Sequence, residues 1–192
     1  MRITAHLDTS VVGLEEYPTM LDGPLSWAWA MRARAHGQPI EPITPTHAPD
    51  FPLPLRRWEL GGTWGWQVSC AHYAEPLHTS TDIRRKPATQ AMTFLTHDAK
   101  VHLGLGPRKA RNVIRSAAIT DQIWWDAEVT DVDDLADLLR LVTHIGARHN
   151  AGHGHVTAWT IEHRDGGWDD RPFPPQEAAR APYWHYTRRT SC

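Results

Sequence analysis

The sequence predicts an α+β domain, and three observations carry that prediction. Residues 2–8 alternate between polar and apolar side chains, as a half-buried strand does. Residues 131–145 repeat apolar side chains every three or four positions, as an amphipathic helix does. Strand-like segments at 122–129 and 155–163 flank that helix. With one earlier helix the order becomes βαββαβ, the ferredoxin-like (RRM-like) outline, in which both helices cover one face of an antiparallel sheet.

The earlier helix is predicted to end at Ala35, before Gly37. Asp22 or Gly23 can serve as its N-cap, and Pro24 suits the first helical position because it needs no amide partner there. The candidate core residues of this helix are Leu25, Trp27, Ala28 and Met31.

The middle of the chain is irregular. Six prolines in residues 39–54 predict an extended connection, because proline cannot donate to a strand ladder. Alternating tryptophans around Gly61 and Gly62 then predict a hairpin or a bent strand within residues 56–73. The proline-rich segment 165–192 is predicted to be a C-terminal tail packed over the domain or over a neighbour.

The second helix carries clear end signals. Thr130 or Asp131 can cap its N-terminus, two acidic residues follow in the first turn, and Gly146 can take the left-handed position at its end. The strand at 155–163 is apolar on both faces, which predicts an interior position in the sheet.

Composition indicates one globular domain. The chain has 192 residues, of which 41% are apolar and ten are tryptophan, enough to build a sizeable core. No segment has the length of a membrane span and the N-terminus lacks a signal-peptide pattern, so a cytoplasmic protein without membrane contact is expected. The two cysteines, Cys70 and Cys192, exclude a disulfide framework and a thiolate zinc cage.

Charge is segregated along the chain although the net charge is only −2. Residues 78–115 contain eight lysines and arginines against two aspartates, whereas residues 121–137 contain seven carboxylates and no lysine or arginine. The basic segment could therefore face a polyanion. The alternative is that the basic and the acidic segments both form solvated surfaces without a partner.

Residues 146–156, "GARHNAGHGHV", hold three glycines, three histidines and one arginine, and we name them the glycine-rich loop. A metal site is disfavoured, because the histidines lack the helical i, i+4 pair with a nearby glutamate and no thiolate can assist. Acid/base cleavage of RNA has candidates in His6, Tyr73, His149 and His153, but their spacing selects none. An anion site explains the glycines as well, since they let backbone amides approach a phosphate.

The sequence resembles the RAMP superfamily of CRISPR-associated proteins, and more narrowly the small Cas-five-like subunit of type IV CRISPR effector complexes. The resemblance lies in five blocks that follow the family's order: "PTMLDGPLSWA", "FPLPLRR" (51–57), "GPRKARN" (106–112), "RLVTHIGARHNAGHGHVTAWTIE" and "RPFP" (171–174). It implies a single RAMP domain over residues 1–192, with a ferredoxin-like core and an inserted, β-rich thumb at 62–118.

The resemblance also implies a function in antiviral defence. Such subunits cap the 5′ handle of a guide RNA (crRNA) and contact the filament-forming RAMP backbone subunit. The resemblance allows further contacts with a large subunit and with target DNA but does not require them. Type IV members are regarded as non-catalytic and no cofactor is implied, whereas some type I relatives cleave repeat RNA. A metal-independent endoribonuclease therefore remains the first alternative and a histidine-liganded metalloenzyme the second.

The expected RNA-binding residues fall into two groups. The glycine-rich loop contributes Gly146, Arg148, His149, Gly152, His153 and Gly154. The inserted region contributes Arg84, Arg85, Lys86, Arg108, Lys109 and Arg111 as thumb and handle contacts, and their charge suits phosphate neutralisation. The loop departs from the family in having Arg148 as its one permanent cation, with histidine in place of further lysine or arginine.

Overall fold

The computed structural model of the chain describes residues 1–13, 20–60, 62–85, 111–164, 167–168 and 181–185. Eleven helices and strands follow one another along the described residues. They are β1 (Arg2–Leu7), β2 (Val11–Val12), α1 (Asp22–Ala35), β3 (Arg57–Leu60), β4 (Thr63–Trp66), β5 (His72–Tyr73), β6 (Leu77–Arg85), β7 (Arg111–Ile119), β8 (Gln122–Asp126), α2 (Val132–Leu139) and β9 (Val156–Glu162). The predicted α+β class is confirmed.

The main sheet has four antiparallel strands in the order β5-β8-β1-β9. The first strand of the chain lies in its interior, where Ile3 pairs with Trp125 of β8 on one side and with Ile161 of β9 on the other. The predicted strand at the start of the chain is therefore confirmed, and it organises the sheet around itself.

The two faces of this sheet differ in chemistry. Ile3, Ala5, Ile123 and Trp125 are fully buried on one face, where alternation along the strands places them together. The neighbouring Trp124 points to the opposite face and does not belong to the core cluster. Consecutive tryptophans thus have opposite environments.

Both helices pack on the same core cluster as the buried face of the sheet. Leu25 and Ala28 of α1 and Leu135 and Leu138 of α2 are fully buried in it. An ion pair between Arg32 of α1 and Asp134 of α2 joins the two helices. Arg32 lies in the last turn of α1 and Asp134 in the first turn of α2, so this contact joins the end of the first helix to the beginning of the second.

The predicted core face of α1 is partly wrong. Leu25 and Ala28 are buried as expected, but Trp27 and Met31 are 52% and 41% exposed. Apolar residues occur around the whole circumference of this helix, so periodicity could not identify the side that packs. The N-cap is Leu21 rather than Asp22 or Gly23, because Asp22 is drawn into the first turn as a buried residue.

The second helix is shorter than predicted. Asp131 caps it as expected, its side chain accepting a hydrogen bond from the Asp134 amide, but the helix ends at Leu139 rather than Ile145. The Val156 amide donates to the Thr143 carbonyl and the Ile145 amide donates to the Gly154 carbonyl. These bonds to the chain around β9 hold residues 143–145 extended, so tertiary pairing overrides the helical pattern.

The last strand is at the edge of the sheet, not in its interior as its composition predicted. Among the described residues β9 pairs with β1 alone. Trp159 and Ile161 pack against the core from one face, and the indole N–H of Trp159 donates to the Val142 carbonyl. The apolar residues on this strand therefore pack against the core between the sheet and the helices, and they do not indicate a second neighbouring strand.

Two smaller sheets complete the described fold. The predicted hairpin is confirmed as β3 and β4, with Gly62 at positive φ in its turn. The other sheet has the order β2-β7-β6, and its two long strands form a ribbon of nine paired residues from Leu77 opposite Ile119 to Arg85 opposite Arg111. The inserted region predicted at residues 62–118 covers all of this ribbon except Ile119, and that boundary stays a prediction.

Of the predicted C-terminal tail the structure describes residues 167–168 and 181–185, and the latter lie on the domain as a short strap. In the part of the chain that the structure describes, no helix combines the length and the apolar character needed to cross a membrane.

The adjacent tryptophans of β8 provide a test of this architecture. We expect Trp125→Ala to lower the free energy of unfolding by about 3–5 kcal/mol, because it empties a fully buried site. The matched variant Trp124→Ala should cost roughly 1 kcal/mol, from lost ring and cation–π contacts. Urea denaturation measures both, and equal losses would contradict the assignment of the two faces.

Candidate functional site

The glycine-rich loop lies against the chain that follows β1. The Gly154 amide donates to the Ser10 carbonyl and the Ala147 amide donates to the Val12 carbonyl, both at 2.9 Å. The His155 amide donates to the Thr9 side-chain oxygen at 2.8 Å. Residues 8–13 therefore hold both ends of the loop, and its middle projects from the domain.

A short 3-10 turn at His149–Ala151 forms that middle. It lies between Arg148 (φ 65°) and Gly152 (φ 86°), both in the left-handed region. The Ala151 amide donates to the Arg148 carbonyl and the Gly152 amide donates to the His149 carbonyl, each at 2.9 Å. Few non-glycine residues adopt positive φ, so the loop holds the backbone of Arg148 in a conformation that costs free energy.

The glycines have different structural roles. A Cβ on Gly154 would lie 1.8 Å from the Ile145 carbonyl oxygen, and one on Gly146 would lie 2.7 Å from Val11 Cγ1. These two positions require glycine because the backbone packs closely there. At Gly152 no atom lies within 4 Å of an added Cβ, so the positive φ is the one feature of this position that favours glycine.

The tip of the loop is open to solvent. Residues 146–152 are all exposed, Arg148 among them. Within the described chain, no backbone carbonyl accepts from the amides of Arg148, His149 and Asn150. Successive amides at a left-handed residue followed by a right-handed turn can form a concave anion-binding nest.

Four histidines lie in this loop or directly before it. The ring of His144 lies 5.2 Å from that of His155 and 6.3 Å from that of His149, measured between centroids. The His155 Nδ1–H donates to the Asp8 carboxylate at 2.9 Å, and a hydrogen bond of 3.1 Å joins His153 Nδ1 and the Ser10 hydroxyl. The loop therefore combines one permanent cation with imidazoles that can accept a proton.

The metal hypothesis gains no geometric support from these histidines. No three histidine, cysteine, aspartate or glutamate side chains are arranged to hold a metal ion among the residues that the structure describes. The contacts that His153 and His155 make are instead hydrogen bonds to an alcohol and a carboxylate, the partners that orient an imidazole for proton transfer or for anion contact.

The second group of predicted site residues lies along the ribbon. Arg84 and Arg85 end β6, and Arg111 begins β7 directly opposite Arg85. Arg111 is exposed. Lys86, Arg108 and Lys109 lie outside the described residues.

The structure links the two groups through β2. Val12 pairs with Ala117 at the near end of the ribbon and also bridges to Ala147 in the glycine-rich loop. From Ala117 to Arg111 the strand extends by six residues, or about 20 Å at 3.3 Å per residue. An exposed arginine is therefore present at the loop, Arg148, and another, Arg111, at the far end of the ribbon.

The face of the main sheet opposite the core carries a stack that the sequence did not predict. The His72 ring lies nearly parallel to Trp124 at 5.6 Å, and the Arg2 guanidinium lies 5.0 Å from the Trp124 ring centroid. Trp64 and Trp66 pack edge to face in the hairpin beneath Arg57, and Trp66 is buried.

Sequence reasoning also missed Asp8, Thr9 and Ser10. They precede the glycine-rich loop by more than 130 residues, so local spacing could not associate them with its histidines. The one available signal was that a short polar segment follows the first strand directly.

The chain matches no protein-family model, and no curated protein sequence matches it.

The unequal roles of the glycines can be tested by matched substitutions. We expect Gly154→Ala to lower the free energy of unfolding by about 3 kcal/mol or more, because its methyl group meets a backbone carbonyl that cannot move freely. Gly152→Ala should cost only about 1 kcal/mol, from positive φ alone. Similar losses in urea denaturation would contradict the close packing of Gly154 on Ile145.

Proposed function

We propose that this chain is a non-catalytic RNA-binding subunit of a type IV CRISPR ribonucleoprotein. In this role it caps the 5′ handle of a guide RNA and contacts the backbone filament. The proposal joins the sequence resemblance to one structural observation, the exposed glycine-rich loop with Arg148 at its tip.

The topology of the main sheet supports the finer fold assignment, a ferredoxin-like RAMP core. Antiparallel order β5-β8-β1-β9, with α1 between β1 and β5 and α2 between β8 and β9, is the order expected of a βαββαβ unit. The glycine-rich loop then lies between the second helix and the last strand, where the resemblance expects RNA contacts.

The chemistry of the loop favours a phosphate backbone over a base edge. Arg148 supplies a permanent charge, and the exposed amides of residues 148–150 can donate to an anion without any side chain. Backbone amides do not distinguish one base from another, so this site suits a ligand recognised by its backbone.

The ribbon supplies the second contact region in this proposal. Arg111 lies at its far end, opposite the backbone of Arg85, and an RNA strand that follows the ribbon from the loop would pass both groups. Each phosphate neutralised releases counterions, which is the main source of sequence-independent affinity.

The acidic helix suits a protein neighbour better than RNA. Asp131, Asp133 and Asp137 are exposed on α2, and carboxylates there would repel phosphates. These exposed carboxylates therefore favour α2 as the surface for the filament-forming backbone subunit.

Co-purification tests the assembly. The chain is expressed with its genomic neighbours and isolated by a tag, and the RNA that accompanies it is sequenced. We expect a ribonucleoprotein containing repeat-derived RNA, with the chain near the 5′ handle. Recovery of the chain without RNA and without a filament subunit would contradict the proposal.

Salt dependence tests the role of Arg148. We expect Arg148→Ala to weaken binding to handle RNA of any sequence and to lower the slope of log K against log salt by about 0.7, one single-strand phosphate contact. The control is Arg140→Ala, which removes an exposed arginine paired with Asp137 on the acidic helix and should leave the slope unchanged. An unchanged slope in Arg148→Ala would exclude Arg148 from the interface.

A metal-independent endoribonuclease is the second candidate function. It is favoured by the Asp8–His155 and Ser10–His153 hydrogen bonds, since an oriented imidazole can act as a general acid or base. Incubation of repeat RNA with the purified chain in EDTA distinguishes the two functions. We expect no discrete product, and a specific cut that His155→Ala abolishes would replace the non-catalytic proposal.

A further inference from the structure

The strap, residues 181–185, lies across the beginning of α1 and the β3–β4 hairpin. The Ala181 amide donates to the Trp64 carbonyl at 3.1 Å, and the Trp184 indole N–H donates to the Ser26 hydroxyl at 3.2 Å. The His185 Nε2–H donates to the Thr44 carbonyl at 3.1 Å. Three separate parts of the fold therefore hold these five residues.

A buried carboxyl group lies beneath the strap. Asp22 is fully buried, and its Oδ2 accepts the Tyr183 amide at 2.7 Å. Its Oδ1 has no hydrogen-bond partner among the described residues. A carboxylate in this position would be an incompletely compensated charge, so the environment favours the neutral acid.

Close packing makes the strap the cover of this site. A Cβ on Gly65 would lie 2.0 Å from the Tyr183 hydroxyl oxygen, and one on Gly23 would lie 3.4 Å from Trp184 Cβ. Tyr183 and Trp184 thus occupy the space above two glycines, one in the hairpin and one beside Asp22. Water can reach the carboxyl once this cover is removed.

We propose that Asp22 is a pH-sensitive latch, whose neutral carboxyl keeps the strap docked and whose ionisation releases the strap and hydrates the carboxylate. The inference does not depend on the proposed function, because the latch lies in the strap, α1 and the hairpin and uses no residue of the glycine-rich loop.

The direction of the pH effect follows from the surroundings of Asp22. Burial raises its pKa to about 7, while the amides of Tyr183, Gly23 and Asp22 itself lower it. No charged side chain contributes to this pKa shift. The titratable groups on the packed elements are Tyr183 and His185 of the strap, Arg57 and Glu59 of the hairpin, and Arg32 and Arg34 of α1.

A raised pKa means that docking is strongest at low pH and weakens as the pH rises. If the released carboxyl returns to its ordinary pKa of about 3.9, docking declines from about pH 4 upward and levels off above the docked pKa. Between pH 5.5 and pH 8 the ratio of docked to released strap should fall about thirty-fold.

The Tyr183 amide is a direct reporter, because it donates to the carboxyl under test. Its hydrogen exchange in the full chain is measured by NMR from pH 5.5 to pH 8 and converted to a protection factor, which removes the intrinsic pH dependence. We expect protection to fall about thirty-fold across this range while far-UV circular dichroism stays constant. Constant protection of the wild-type amide would overturn the proposal.

Matched variants separate the latch from general pH effects. Asp22→Asn keeps the shape and the acceptor but cannot ionise, so its protection factor should not change with pH. Asp133→Asn removes an exposed carboxylate in the first turn of α2 and should retain the wild-type profile. Ser26→Ala removes the hydrogen bond from Trp184, so it should lower the protection factor at every pH. The ratio of the protection factors at pH 5.5 and pH 8 should stay the same. A pH-dependent Asp22→Asn profile equal to the wild type would overturn the assignment, and so would loss of the pH dependence in Asp133→Asn.

Discussion

The pairing of β1 on both of its edges is the constraint on which the rest of the structure depends. This strand joins β8 and β9, and its buried residues contact both helices through one core cluster. The chain start is fixed to it, since the terminal ammonium group donates to the Ala127 carbonyl and Arg2 forms a two-point ion pair with Asp126. The residues directly after β1 then hold the glycine-rich loop, so the sheet and the candidate site share one support.

That shared support explains how a small loop can be both rigid and open. Gly146 and Gly154 allow the backbone to pack against Val11 and Ile145, which fixes the base of the loop. The tip lies between these contacts and keeps its amides and Arg148 in solvent. A site whose geometry exists before binding loses less conformational entropy when an anion is bound, which favours affinity from few charges.

Histidine and carboxylate chemistry is divided between two places. At the glycine-rich loop, His153 and His155 are half-buried and form hydrogen bonds with the Ser10 hydroxyl and the Asp8 carboxylate. At the beginning of α1, Asp22 is fully buried, and this burial favours its neutral form although nearby backbone amides oppose it. The two environments differ in solvent access. The partly exposed histidines can contact a ligand directly, whereas a change in the charge of the buried Asp22 carboxyl requires a change in the packing around it.

The sequence by itself determined the α+β class and the first strand, because each depends on neighbouring residues. It narrowed the Gly61-Gly62 region to a hairpin or a bent strand and the α2 cap to Thr130 or Asp131, and the structure selected the hairpin and Asp131. It also identified the glycine-rich loop, since glycine and charge are local signals. Only the tertiary structure decided that Trp27 is exposed, that α2 ends at Leu139 and that β9 is an edge strand. It alone brought Asp8 and Ser10 to the histidines and buried Asp22 under the strap. The end of α2 depends on backbone bonds from residues 143–145 to the chain at the start of β9, and the other contacts join residues more than 100 positions apart. The exposure of Trp27 depends on which side of an evenly apolar helix packs. Local patterns carry no information about any of these.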